Sequence, residues 1–173
     1  MGETPTSQTP DFSNPLAVLR ECHDDMLAHC EVLDTLPAYI REHGLDAEAR
    51  GRITRTVQFF TSVAVQHHQD EETDLFPILN RQSLKLADTV FRLRKDHEQL
   101  HKLWDSLFVV LKKGATLAED DSFADQVQAF CNAYREHIKR EEKEMFSMAQ
   151  HILSHKQLEE IGRNMARRRG IRR

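Results

Sequence analysis

Four stretches of this chain repeat apolar residues every three and four positions, the period of one helix face. A sequence built this way folds as packed helices, because each stripe must be buried against another. The fourth stretch is the clearest: Phe123, Val127, Phe130 and Tyr134, then His137 and Glu141, then Met145 and Met148. The second gives Val57, Phe60 and Ala64, then His67 and Glu71, then Leu75. The third gives Val90, Leu93 and His97, then His101 or Leu100, then Trp104, Phe108 and Leu111. The first gives Leu16, Leu19, His23, Leu27, Cys30 and Leu33. Every stripe carries a titratable group near mid-length.

Local capping chemistry sets the expected ends. Asn14 ahead of Pro15 opens the first helix and Gly44 stops it. Pro37 is expected to kink that helix or end it early. Asp46 caps the second helix, which is expected to end near Phe76 because Pro77 follows. Residues 78–87 read as a loop or short turn, and Asp88 as the cap of the third helix, which closes at Lys112 and Lys113. The acidic "EDDS" opens a fourth helix, from about residue 122 to 150. Ser154 and Gln157 make a capping box for a short fifth. The fold class expected is all-α: an antiparallel up-down four-helix bundle with a short C-terminal fifth helix. Residues 1–14, rich in Thr, Ser and Pro, read as a disordered segment. Residues 15–150 form the bundle, and residues 151–173 the short helix and a basic tail.

Composition narrows the function classes. The net charge of −4 gives no bulk attraction to nucleic acid or membrane. No apolar run approaches the roughly 20 residues needed to cross a bilayer. The polar N-terminus lacks the regions of a signal peptide, so a cytoplasmic location is expected. Three cysteines without a CxxC pattern suggest neither a disulfide framework nor a Cys-rich zinc site. Cys22 and Cys131 read as buried, inert thiols. Ten histidines in 173 residues are the compositional oddity.

The segment "HHQDEETDLFP", residues 67–77, holds two pairs spaced by four, His67/Glu71 and His68/Glu72. The line through His67 and Glu71 continues the apolar stripe. The line through His68 and Glu72 passes Thr61 and Gln58, which places that pair at the surface or behind the inward pair. Glu142 lines up with Arg135 and Gln128 and is expected to face water, leaving Glu141 inside. Buried carboxylates beside several imidazoles need an extended ion-pair network or a cation. Facing helices that supply such ligands hold paired metals in bundles. Nitrogen and oxygen ligands, with no thiolate at this level of the stripe, suit iron or manganese.

These segments resemble the hemerythrin-like proteins of the HHE cation-binding class over residues 15–150. The resemblance rests on "HxxxEExxLFP" at 67–77, "HIxxEE" at 137–142, "DHEQLHKLW" in the third helix and "ECHDDML" in the first. It implies seven metal ligands: His23, His67, Glu71, His97, His101, His137 and Glu141. It also implies two iron ions in a non-haem diiron centre, with Glu71 and Glu141 as bridges. One iron takes His97, His101 and His137. The other takes His23 and His67 and keeps a position for O2 or peroxide. Trp104, Ile138 and Leu27 are then walls of an apolar pocket, or plain core.

The function expected is binding of O2 or a related small oxidant, for sensing or storage. The alternatives are a diiron oxidoreductase acting on peroxide or nitric oxide, and a non-redox metal-binding or structural bundle. Binding and catalysis are not separated by the ligand set, so enzymatic activity stays open. No protein partner is implied.

Overall fold

Asn14 accepts a hydrogen bond from the Ala17 amide and Pro15 follows it, which starts the first helix, α1, Pro15–His43. The computed structural model describes residues 10–171, and every regular element among them is helical. Gly44 ends α1 at φ 73°. The expected break at Pro37 does not occur. Leu36 and Ile40 flank it at 0% exposure, and burying two such side chains, at about 1.5–3 kcal/mol each, outweighs the interrupted ladder.

Asp46 caps α2, a continuous run over residues 47–82. It joins Ala47–Gln58, Ala64–Asp70 and Phe76–Gln82 through two wide π turns, Phe59–Val63 and Glu71–Leu75. The run continues past Pro77, contrary to the expected stop. The π turn just before it already interrupts the i→i−4 ladder, so the missing amide of Pro77 removes little. The expected loop over residues 78–87 is therefore mostly helix. Ser83, and not Asp88, caps α3, Leu84–Leu111, because Leu86, Val90 and Leu93 extend the buried face upstream. A short 3₁₀ turn, Gly114–Glu119, leads to α4, which joins Phe123–Arg140, the π turn Glu141–Phe146 and Ser147–Ile152. Ser154 and Gln157 form the capping box of α5, His155–Arg168.

The apolar core is split in two. One cluster holds Met26, Leu33, Phe60, Leu100, Phe130 and Tyr134. The other holds Leu19, Leu75, Phe76, Leu93, Met145 and Phe146. Each of α1 to α4 passes from one cluster to the other, and its histidine lies at the crossing. The second cluster also receives Ile161 and Met165 of α5, and Phe12. The expected disordered segment therefore divides. Residues 1–9 lie outside the described residues, whereas Phe12 is 1% exposed. Its carbonyl packs against Gly162, where a Cβ would lie 1.9 Å from that oxygen.

The basic C-terminal stretch is tied down up to Arg169. Arg169 forks onto Asp70, with Nη2 2.7 Å from Oδ2. Arg168 pairs with the same carboxylate and reaches Asp74 at 2.8 Å. Asp70 is 0% exposed and sits between His67 and Glu71 in the chain. Among the described residues no helix is long and apolar enough to cross a membrane.

Candidate metal centre

The polar layer between the two clusters draws one or two residues from each long helix. His23 comes from α1, His67 and Glu71 from α2, His97 from α3, and His137 and Glu141 from α4. None is more than 2% exposed. They make two cages that share both carboxylates: His23, His67, Glu71 and Glu141, and His97, His137, Glu71 and Glu141. In each cage the ligand atoms lie within 4.8 Å of one another.

The imidazoles turn Nε2 inward. His23 Nε2 lies 3.1 Å from His67 Nε2 and 3.0 Å from Glu141 Oε2. His137 Nε2 lies 3.4 Å from that same oxygen. Glu71 divides its oxygens, with Oε1 3.1 Å from His67 Nε2 and Oε2 3.3 Å from His97 Nε2. An octahedral ion with bonds of about 2.1 Å has neighbouring ligand atoms about 3.0 Å apart, close to these edges. Both oxygens of Glu71 and of Glu141, Nε2 of His97 and both ring nitrogens of His137 are buried without a hydrogen-bond partner among the described residues. Leaving buried carboxylates in that state costs several kcal/mol, which bound cations would offset. The residues fit a pair of metal ions, and none of the three cysteines, all buried, belongs to either cage.

Comparison with known proteins agrees with this geometry. Residues 14–149 match the family model of the hemerythrin HHE cation binding domain. The chain belongs to this family. The HHE domain here is also 30% identical, over 165 residues and 95% of each chain, to an uncharacterized protein of Haemophilus influenzae.

In this HHE domain the outer nitrogens of two cage histidines, His97 and His23, are held by further carboxylates. Glu72 Oε1 lies 2.6 Å from His97 Nδ1, and Glu142 Oε1 lies 2.8 Å from His23 Nδ1. Asp96 Oδ2 lies 3.5 Å from His137 Nδ1 and is itself paired with Arg140. Such partners fix the ring orientation and raise ligand basicity. Sequence reasoning sent Glu142 to solvent. Its side chain is 36% exposed but reaches back to His23, with Arg20 on its other oxygen at 3.3 Å. The available signal was the doublet that follows a stripe histidine: in "EE" at 71–72 and at 141–142 the first glutamate enters the cages and the second holds a histidine of another helix.

His101 differs from expectation, and His68 takes the buried one of its two expected places. His68 was placed at the surface or behind the inward pair, and it is 5% exposed. One of its nitrogens lies near those of His97 and His137. Its ring, however, stacks on His97 at 4.0 Å and 20°, so its lone pairs run alongside those of His97 and do not converge with them. His101 is exposed and joins neither cage, because Leu100, at 1% exposure, takes the inward position after His97.

The electrostatics follow the contacts. Burial alone would lower His97, but the carboxylates of Glu71 and Glu72 beside its two nitrogens outweigh it and raise its pKa to about 9. His23 is likewise raised against burial by Glu141 and Glu142. His67 stands well above its usual value against burial, chiefly through the charge of Glu71. Burial would raise Glu71, yet His67 and His97 hold it well below the carboxylate range. His68 has no such carboxylate contact. Burial and the charges of His97 and His67 push it well below the ordinary value.

Proposed function

We propose that this HHE domain is a non-haem diiron protein, an up-down four-helix bundle whose function is to bind O2 or a related small oxidant. The observation that carries the reading is Glu71, whose two oxygens face two different cages. His23 and His67 would hold one ion and His97 and His137 the other, and Glu71 and Glu141 belong to both cages. The position expected for His101 has no counterpart in this set, because that side chain is exposed. Imidazole and carboxylate donors favour iron over ions that prefer thiolates. A bound metal pair supplies redox chemistry toward O2, peroxide or nitric oxide. The chain's own residues exclude water on two sides, with Leu19 and Phe146 on one and Met26 and Phe60 on the other.

A second reading, turnover of peroxide or nitric oxide, draws support from the open space beside His68. A cavity of about 380 Å³ lined by His68, His101 and Trp104 adjoins the layer, and it lets protons and water approach. Elemental analysis of protein produced with iron supplied should approach two irons per chain. A persistent value of one, with the six cage residues intact, overturns the paired site. Anaerobically reduced protein exposed to air should then develop a visible band that disappears on deoxygenation and returns over repeated cycles. Sustained O2 evolution from hydrogen peroxide without such a band decides for the oxidoreductase.

A further inference from the structure

The polar contacts of α5 fall on the two ends of one π turn in α2, Glu71–Leu75. Asp70 immediately precedes that turn, and Asp74 lies near its far end. One guanidinium holds both. Arg168 donates Nη1 to Asp70 Oδ1, and Nη2 to Asp74 Oδ2 at 2.8 Å. Asn164 donates to the other oxygen of Asp74 at 2.8 Å, and Arg169 Nη2 to the other oxygen of Asp70 at 2.7 Å. All four carboxylate oxygens at the ends of the turn therefore accept from the C-terminal helix and its cap. Between those ends stand Glu71 and Glu72. They flank a single ring, with Glu71 Oε2 3.3 Å from His97 Nε2 and Glu72 Oε1 2.6 Å from His97 Nδ1.

Neighbours in an α-helix diverge by about 100°. A π turn closes its hydrogen bond one residue later, so its neighbours diverge less, and two adjacent glutamates can reach the same ring. Stability alone does not require the arginines that bracket this turn. The side chains of Asp70 and Asp74 are withdrawn from solvent, and a buried ion pair is on balance no more stabilising than apolar side chains of its volume. What an arginine fork adds is geometric definition. We infer that Arg168 is a positioning residue of the metal centre. By spanning Asp70 and Asp74 it fixes the π turn, and through the turn it fixes Glu71 in the cages and Glu72 on His97. This makes the C-terminal helix part of the site, and it rests on the diiron reading for what Glu71 holds there.

Three variants separate positioning from stability. Arg168→Lys keeps a cation beside Asp70 but replaces the two-pronged fork by a single ammonium. Asp74→Ala frees the far end of the turn and leaves both arginines to Asp70. Leu107→Ala is the control: it hollows the other apolar cluster, about 15 Å along α3 from His97, and lowers stability without touching the turn. Each would compete with a chelator for iron(II) under anaerobic conditions, well below its melting temperature, where a less stable but folded protein binds as the parent does. Arg168→Lys and Asp74→Ala should each bind iron about tenfold more weakly, the lower end of the effect of losing the contacts that orient a ligand. Leu107→Ala should match the parent. Parent-like affinity in either turn variant overturns the proposal, and so does an equal loss in Leu107→Ala. A parent that takes up no iron overturns the diiron reading instead. The clamp is then read without metal, by amide hydrogen exchange over residues 71–76, where the Phe76 amide donates to the Glu71 carbonyl. Exchange there should quicken more in Arg168→Lys than in Leu107→Ala, and exchange no faster than in that control overturns the clamp as well.

Discussion

Glu71 and Glu72 are adjacent in the chain and serve histidines of different helices, as do Glu141 and Glu142. The first of each pair offers its oxygens to the cages, and the second hydrogen-bonds an outer imidazole nitrogen. The two layers should separate on substitution. Glu141→Ala should lose bound metal outright. Glu142→Ala should keep full occupancy at saturating iron but bind roughly 10–100-fold more weakly, the usual effect of losing a ligand's hydrogen-bond partner. Competition with a chelator measures both. Equal loss from the two variants would mean that Glu142 is itself a ligand. The same assay addresses α3: His97→Ala should release metal, while His101→Ala should leave the stoichiometry unchanged. An ion lost from His101→Ala would restore that residue to the ligand set and require the helix to turn inward on loading.

At the scale of elements, α5 works as a clasp on the helix that carries His67 and Glu71. Arg168 and Arg169 converge on Asp70, and Arg168 and Asn164 on Asp74. Removing both arginines leaves a carboxylate at 0% exposure without its cations, so the double change to alanine should cost about 3 kcal/mol or more in denaturant unfolding. Asp70→Asn in that background should recover part of the loss, and no recovery would mean that packing of the arginine stems dominates. Gly162→Ala tests the other face of α5. Helix propensity alone favours alanine by about 1 kcal/mol, but its Cβ would meet the Phe12 carbonyl at 1.9 Å. The variant should therefore melt lower, and a rise in Tm would mean that Phe12 is not held there. Much of this level was legible in the sequence. Asn14, Asp46 and Ser154 act as caps because capping chemistry is local. The stripes through His23, His97 and His137 read correctly because an α-helical period holds on the approach to each, and His67 lies inward although the π turn Phe59–Val63 precedes it. The π turns at Glu71–Leu75 and Glu141–Phe146 have no compositional signature. The first carries α2 through Pro77, and at both turns the second glutamate of the doublet reaches a histidine, where a strict 3.6 period sends it to solvent. His101 was misplaced for a simpler reason. Positions three and four beyond His97 compete for one inward direction, and the apolar Leu100 takes it.

For the whole molecule, the price of the polar layer depends on pH, and the sign differs with and without metal. His97 has a pKa of about 9 in the fold against roughly 6.5 in an unfolded chain. A raised pKa contributes stability that is fully present below about 6.5 and is lost as pH rises through about 9. His23 and His67 are raised too, so they act in the same direction. Glu71 is depressed and acts at the other end: its contribution is present above about 4.3 and is lost as pH falls through its lower folded value. Metal-free protein should therefore be most stable between about pH 4.5 and 6.5, and should weaken toward pH 9 by up to about 3 kcal/mol through His97 alone. Cations that take the places of these protons reverse the dependence, because ligands must give up protons to bind and affinity then rises with pH. The gap in unfolding free energy between metal-loaded and metal-free protein should accordingly widen from pH 6 to pH 9. Denaturant unfolding of both forms at the two pH values measures it. A gap that stays constant would mean that the cage histidines do not exchange protons for metal, and that the cations bind elsewhere.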